Sequence, residues 1–448
     1  MPSTAPLLGF RRGGLNPGHG RRFMAACDPV ARRFRIATSR LEETPRMTHD
    51  LLLRNVRPMG GEATDVLVRD GRVAGWGGGP DAPLEAPGVL VEDGAGALLV
   101  PGFVEAHTHL DKSLWGMGWR RHQAGPRLID KIETERRLKK EWDIDPARQS
   151  ARQVVQSLRM GTTHIRTHVD VDDAVGLAGM EGVLATRAAY AGVVEIETVA
   201  FPQSGLMVRP GVAALMEEAM RMGADVVGGL DPCAIDRDPK GQLDVVFGLA
   251  ERFGRPVDIH LHEPGQLGAF SLELIIERTR ALGMEGRVTV SHAFCLGDPD
   301  ASLVNPLLER IAALDIAIAT TAPASRPVPA AATLRGLGIR LCAGSDGIRD
   351  TWGPYGNADM LERAMLIGLR NNFRRDEEVE MALDICTRGG AEVMRLEGYG
   401  IEPGCRADLV LVDGESLAEA VAARPPRRLV VKRGRVVARN GVSLVEAP

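Results

Sequence analysis

Between residues 99 and 346 the chain carries eight short apolar, β-branched runs, at 99–109, 162–170, 193–202, 224–231, 256–262, 287–293, 315–321 and 339–346. The stretches between them have helical character, as in Ser271 to Gly283, which opens on a serine N-cap signal and stops at a glycine. Strand text alternating with helix text is the pattern of βα units around a parallel sheet, and eight such units close a (β/α)8 barrel. The flanks read differently. Leu51 to Val56 and Asp65 to Val73, the latter broken by an Asp70-Gly71 hairpin turn, are strands, and so are Ala407 to Gly414 and Leu429 to Val437. The expected architecture is therefore an α/β chain: a TIM barrel over 99–403, with a small β-sandwich assembled from residues 47–98 and 404–448. A chain of 448 residues with 44% apolar content can fill both cores. Residues 1–46, with nine arginines against Asp28, Glu42 and Glu43 and no periodic apolar pattern, are expected to be a disordered extension.

Chemistry in such a barrel sits at the C-terminal ends of the strands, and that is where the chain concentrates its histidines. His107 and His109 stand at i and i+2 of one strand, so both side chains face the same way, as two ligands of one metal ion must. His260 or His262 with Glu263 follow on the fifth run, His292 on the sixth and Asp346 on the eighth. Neutral imidazoles with a carboxylate suit a divalent zinc or iron ion. Spacing does not choose between His260 and His262, which share a strand face. His164 and His168, on the second run, read as structural.

Composition narrows the partners. A net charge of −4 offers no basic field for a nucleic acid, and no apolar stretch reaches the roughly 20 residues needed to span a bilayer. Six scattered cysteines without a C-x-x-C motif point to reduced thiols and a cytoplasmic protein. The expected partner is a small molecule, bound by a homo-oligomer.

Four segments carry a family resemblance: Pro101 to Asp111, Arg166 to Asp172, Ala200 to Gly205 and Ser345 to Trp352. Through them the chain, from Met47 onward, resembles the metal-dependent amidohydrolase superfamily in its cytosine deaminase-like branch. Leu110 to Ser113, Val227 to Pro232 and Gly356 to Met360 look closer to the N-isopropylammelide amidohydrolase type than to cytosine deaminase itself. The resemblance implies His107, His109, His260 and Asp346 as ligands of one divalent ion per chain, Gln203 as a reader of the substrate ring, and Glu263 with His292 as the proton-handling pair. The fourth barrel strand holds no lysine to bridge a second ion, which favours a single metal. Cytosine deaminases carry a second aspartate directly after the metal-binding one. This chain has Gly347 there, which weakens cytosine as substrate.

The implied reaction is hydrolytic release of ammonia or an alkylamine from an aminated pyrimidine or s-triazine. Catalysis would fall to Glu263, His292 and Asp346. Lys112 and Asp231 would anchor ring substituents or form an ion pair at the barrel mouth, and Trp352 and Trp115 would wall a planar ring. Cytosine deaminase proper, a cyclic amide hydrolase and a silent assembly protein are the competing readings.

Overall fold

The computed structural model describes residues 50–447, so the expectation for residues 1–46 lies outside the described residues. Eight strands pair in sequence order and in parallel: Phe103–Thr108, Thr162–Asp170, Glu195–Phe201, Val226–Leu230, Val257–His260, Val288–Ser291, Ala317–Thr320 and Leu341–Ala343. They are the first to eighth barrel strands. The seam between the eighth and first is joined by a single bridge from Thr108 to Asp346, whose N–H donates to the His107 carbonyl at 2.9 Å. Gly344 allows that approach: a Cβ there would lie 2.2 Å from the His107 carbonyl oxygen. Helices between the strands, among them Ala178–Ala189, Pro239–Phe253 and Gly265–Ala281, bury Val183, Val246, Leu272 and Ile276 in one core with Ile165, Val227, Ile259 and Val290. Each such aliphatic side chain contributes about 1.5–3 kcal/mol by leaving water.

Both ends of the chain build the second domain. Leu51–Pro58 pairs antiparallel with Thr64–Arg69, then, past a register break beside Asn55, runs parallel to Leu98–Pro101. Leu98–Pro101 in turn pairs antiparallel with Leu409–Val412, which leads to Arg427–Lys432 and Arg435–Arg439. Leu51, Leu53, Val66 and Val68 from one half meet Leu99, Leu409, Leu411, Leu429 and Val431 from the other in a separate core, as the two layers of a sandwich do. A buried ion network ties this domain to the barrel: Lys432 donates to Asp408 at 2.9 Å and to His164 at 3.2 Å, and Arg406 reaches Glu195 at 3.0 Å. His164 sits within this network, bonded also to Arg406 at 2.9 Å.

Two sequence expectations need correction. The run 99–109 is two strands, because Pro101 lacks an N–H to extend a ladder and the chain changes partners at Gly102. The Gly102 N–H donates to Asp408 of the sandwich at 2.8 Å, whereas the Phe103 N–H donates to Gly161 of the barrel at 2.9 Å. The helix expected to start at Ser271 starts at Gly265, and Ser271 lies inside it with its hydroxyl bonded to Glu263.

Candidate active site

The strand ends bring four expected ligands together. His109 Nε2 lies 3.3 Å and His107 Nε2 3.8 Å from one Asp346 oxygen, and the His260 ring centroid is 4.6 Å from that of His107. Neighbours fix the rings. His109 Nδ1 donates to the His168 carbonyl at 3.0 Å, and His107 Nδ1 pairs with the Ser291 hydroxyl at 2.9 Å, itself bonded to Asp258 at 2.6 Å. Such partners orient ligating imidazoles and leave Nε2 free.

A metal ion fits this donor set on two grounds. His107 Nε2, both nitrogens of His260 and His292 Nε2 are buried without a hydrogen-bond partner, a costly arrangement unless something else binds them. Their protonation suits ligation too. Burial pushes His107 down to about 3 and holds His260 and His292 well below the usual imidazole range. Burial works to raise the Asp346 carboxyl, but His109 and the neighbouring imidazoles hold it well below its ordinary value, as an anion.

The sequence reading missed His168. Its ring lies 4.2 Å from His107 and 4.5 Å from His260, both its nitrogens are unpartnered, and with those two residues it forms a second candidate ligand group. As the seventh residue of a strand buried throughout, it carried no signal beyond that of a core histidine.

Beside this cluster lies a narrow cavity lined by His109, Lys112, Phe201, Gln203, His260, His262, Asp346, Asp350 and Trp352. Gln203 and Trp352 stand where the sequence put them, each with an unpartnered buried N–H donor. Lys112 is there too, but it does not pair with Asp231. It donates to Gln203 at 2.5 Å, to Asp170 at 3.1 Å and to Glu135 at 3.3 Å, where Glu135 rides on the helix Leu128–Glu141. Burial would lower the Lys112 ammonium, yet Asp170 and Glu135 raise it to about 12, so it stays a cation. Trp115 is no wall of this cavity, since the Arg349 guanidinium covers its face at 4.3 Å.

Asp231 and Glu263 take other places than expected. Asp231 does not line the cavity. It accepts from His262 Nδ1 at 2.7 Å and from the His262 backbone N–H at 2.6 Å. Because the fifth strand ends at His260, His262 has left the strand face and turns to Asp231. Burial opposes the charge on His262, but Asp231 raises its pKa above the ordinary value. Glu263 is likewise absent from the cavity wall. One oxygen accepts the N–H groups of Cys233 (2.8 Å) and Ala234 (2.6 Å), and the other accepts the Ser271 hydroxyl. His292 stacks on His262 with centroids 4.3 Å apart. Strain marks the same ground: Asp231, His292 and Asp346, at the ends of three strands, all have positive φ, at about 1–3 kcal/mol each.

The model of the amidohydrolase family matches residues 90–438. The chain belongs to that family. It is 52% identical to a solved N-isopropylammelide isopropylaminohydrolase from Burkholderia multivorans, with a TM-score of 0.84 over 88% of this chain and 100% of that one. N-isopropylammelide isopropyl amidohydrolase of Pseudomonas sp. (strain ADP) is 32% identical over 355 residues, 78% of this chain and 88% of its own length. A 5-methylcytosine deaminase from Klebsiella pneumoniae, solved with 5-fluorocytosine, is 27% identical at a TM-score of 0.77, over 88% of this chain and 99% of that one. Our chain is accordingly a metal-dependent hydrolase of non-peptide C–N bonds. No helix among the described residues is long and apolar enough to cross a membrane.

Proposed function

We propose that the chain hydrolyses the exocyclic C–N bond of an alkylamino hydroxy-s-triazine, releasing the alkylamine, with one zinc or iron ion held by His107, His109, His260 and Asp346. The observation that carries this reading is the union of unpartnered imidazole nitrogens and two unpartnered N–H donors, from Gln203 and Trp352, around one cavity. A dihydroxytriazine presents ring nitrogens and oxygens to such donors. A divalent ion in that ligand set supplies Lewis acidity that lowers the pKa of water toward about 7.

The remaining work falls to side chains. Gln203, its oxygen held by Lys112, turns its N–H₂ to a ring oxygen or nitrogen, and Trp352 covers the ring. Asp346, kept ionised, accepts the proton lost by the attacking water. His262, kept protonatable by Asp231, donates to the ring nitrogen; Asp346 passes the water proton to the departing amine, and the product hydroxyl, in becoming a ring carbonyl, returns a proton to His262. His292 stabilises the negative charge that develops on oxygen. Glu263, read from the sequence as the proton shuttle, becomes in this proposal a strut between the loops after the fourth and fifth strands, which places Asp231 against His262.

The test is a panel of N-isopropylammelide, other alkylaminotriazines, aminotriazines and cytosine, assayed with zinc- or iron-loaded protein for released amine. The alkylaminotriazines should give the highest kcat/KM. Cytosine as the best substrate would move the reading to cytosine deaminase proper.

A further inference from the structure

We propose that Asp350 is the specificity residue that accepts the N–H of the substrate's departing amine, and that Gly347 is glycine to make room for it. This inference rests on the reading of the site given above and names the substrate feature that the site selects.

Space supplies the first observation. A Cβ on Gly347 would fall 1.8 Å from Asp350 Oδ2 and 2.7 Å from its Cγ, so the Asp350 carboxylate fills the volume that any side chain at 347 would need. The backbone does not call for glycine there, because Gly347 is not among the residues with positive φ. Its neighbour Asp346 is a ligand in the proposed set, and the carboxylate therefore stands next to the reacting end of the cavity.

Hydrogen bonding supplies the second. Asp350 Oδ1 is anchored by the N–H groups of Trp352 at 2.8 Å and Gly353 at 2.9 Å. No hydrogen bond to Oδ2 and no ion pair to Asp350 occurs among the described residues, although the residue is only 6% exposed and lines the cavity. A carboxylate anchored on one oxygen and open at the other on a cavity wall is set to accept a donor that a ligand brings. Of the two carboxylates on the cavity wall, Asp346 is committed to the metal, which leaves Asp350 as the acceptor.

Ligand chemistry follows by complementarity. Gln203 and Trp352 donate, and so they take the ring nitrogens and oxygens. An acceptor opposite them takes an N–H, and the exocyclic N–H of a secondary alkylamine is the donor located at the bond to be broken. The site thus selects a monoalkylamino ring over a dialkylamino one.

Parent, Asp350→Asn and Gly347→Ala proteins would be compared on N-isopropylammelide and its N-methyl-N-isopropyl analogue, with metal content and binding of each ring by calorimetry recorded beside kcat and KM. Asparagine keeps the Oδ1 acceptor for the two backbone N–H groups, and alanine at 347 evicts Oδ2 while Asp350 remains. A charge-assisted hydrogen bond corresponds to about 10- to 100-fold. The parent should prefer the N–H substrate by that margin in kcat/KM and in affinity, and both variants should bring the preference close to one with metal content unchanged. An active parent whose preference survives in either metal-replete variant, or that shows none, overturns the inference and leaves the proposed reaction standing. A metal-loaded parent that turns over neither ring removes the reaction, and the inference with it.

Discussion

Replacing Asp231 with asparagine keeps the side chain's shape and removes its charge. In the parent, Asp231 accepts from His262 Nδ1 at 2.7 Å and from the His262 backbone N–H at 2.6 Å, and it raises the imidazole pKa against the opposing effect of burial. Asparagine has one acceptor for these two donors. If its carbonyl keeps the backbone N–H, its amide N–H₂ faces Nδ1 and forces the other tautomer. Without the anion, the imidazolium also loses the charge that favours it. A positioned acid or base is worth about 10² to 10⁴ in rate, or about 3 to 5 kcal/mol of barrier, and the variant should lose kcat by that factor. Stability should fall by only the 1–3 kcal/mol of a buried hydrogen bond. Steady-state kinetics on N-isopropylammelide, with metal analysis and a denaturation curve, separates these outcomes. Asp231→Asn with parental kcat and full metal content would refute the assignment of proton transfer to His262.

Three other perturbations probe the remaining parts. Alanine at any one of His107, His109, His260 or Asp346 should abolish turnover and bound metal, and metal analysis of the parent should find one equivalent per chain, not two. Glu263→Gln keeps an acceptor for the Cys233 and Ala234 N–H groups and a partner for Ser271, so kcat should stay within about tenfold of the parent. A fall of 10² to 10⁴ there would return the shuttle role to Glu263. Lys432→Met leaves Asp408 buried without its closest cation, and chemical denaturation should show a loss of about 3–5 kcal/mol with the substrate KM unchanged.

The barrel is legible in the sequence because its strands are buried on both faces and read as unbroken apolar runs, of which Ile259 and Val290 are members. The shared orientation of His107 and His109, the first two proposed ligands, is legible because strand periodicity fixes their common direction. Periodicity ceases to inform where the strand stops. His260 and His262 look equivalent until the backbone leaves the sheet after His260, and the Asp231 that captures His262 lies 31 residues earlier, on the neighbouring strand. The direction of Glu263 is illegible for the same reason: sequence proximity to His260 says nothing of which way a loop side chain turns, and its carboxylate bonds to Cys233, Ala234 and Ser271. Trp115 failed as a wall because Arg349, from a distant loop, covers it. Gly347 was noticed as a missing aspartate, but only the folded loop shows that Asp350 occupies the vacated space.

In the proposed reaction, water activated in this cavity replaces an alkylamine on a heterocyclic carbon. Turnover of N-isopropylammelide by the metal-loaded protein in ¹⁸O-labelled water tests it most directly, with both products analysed by mass spectrometry. The account predicts free isopropylamine in equal amount to a trihydroxytriazine carrying one ¹⁸O atom. Release of no amine, or of amine with a ring product free of label, would contradict it.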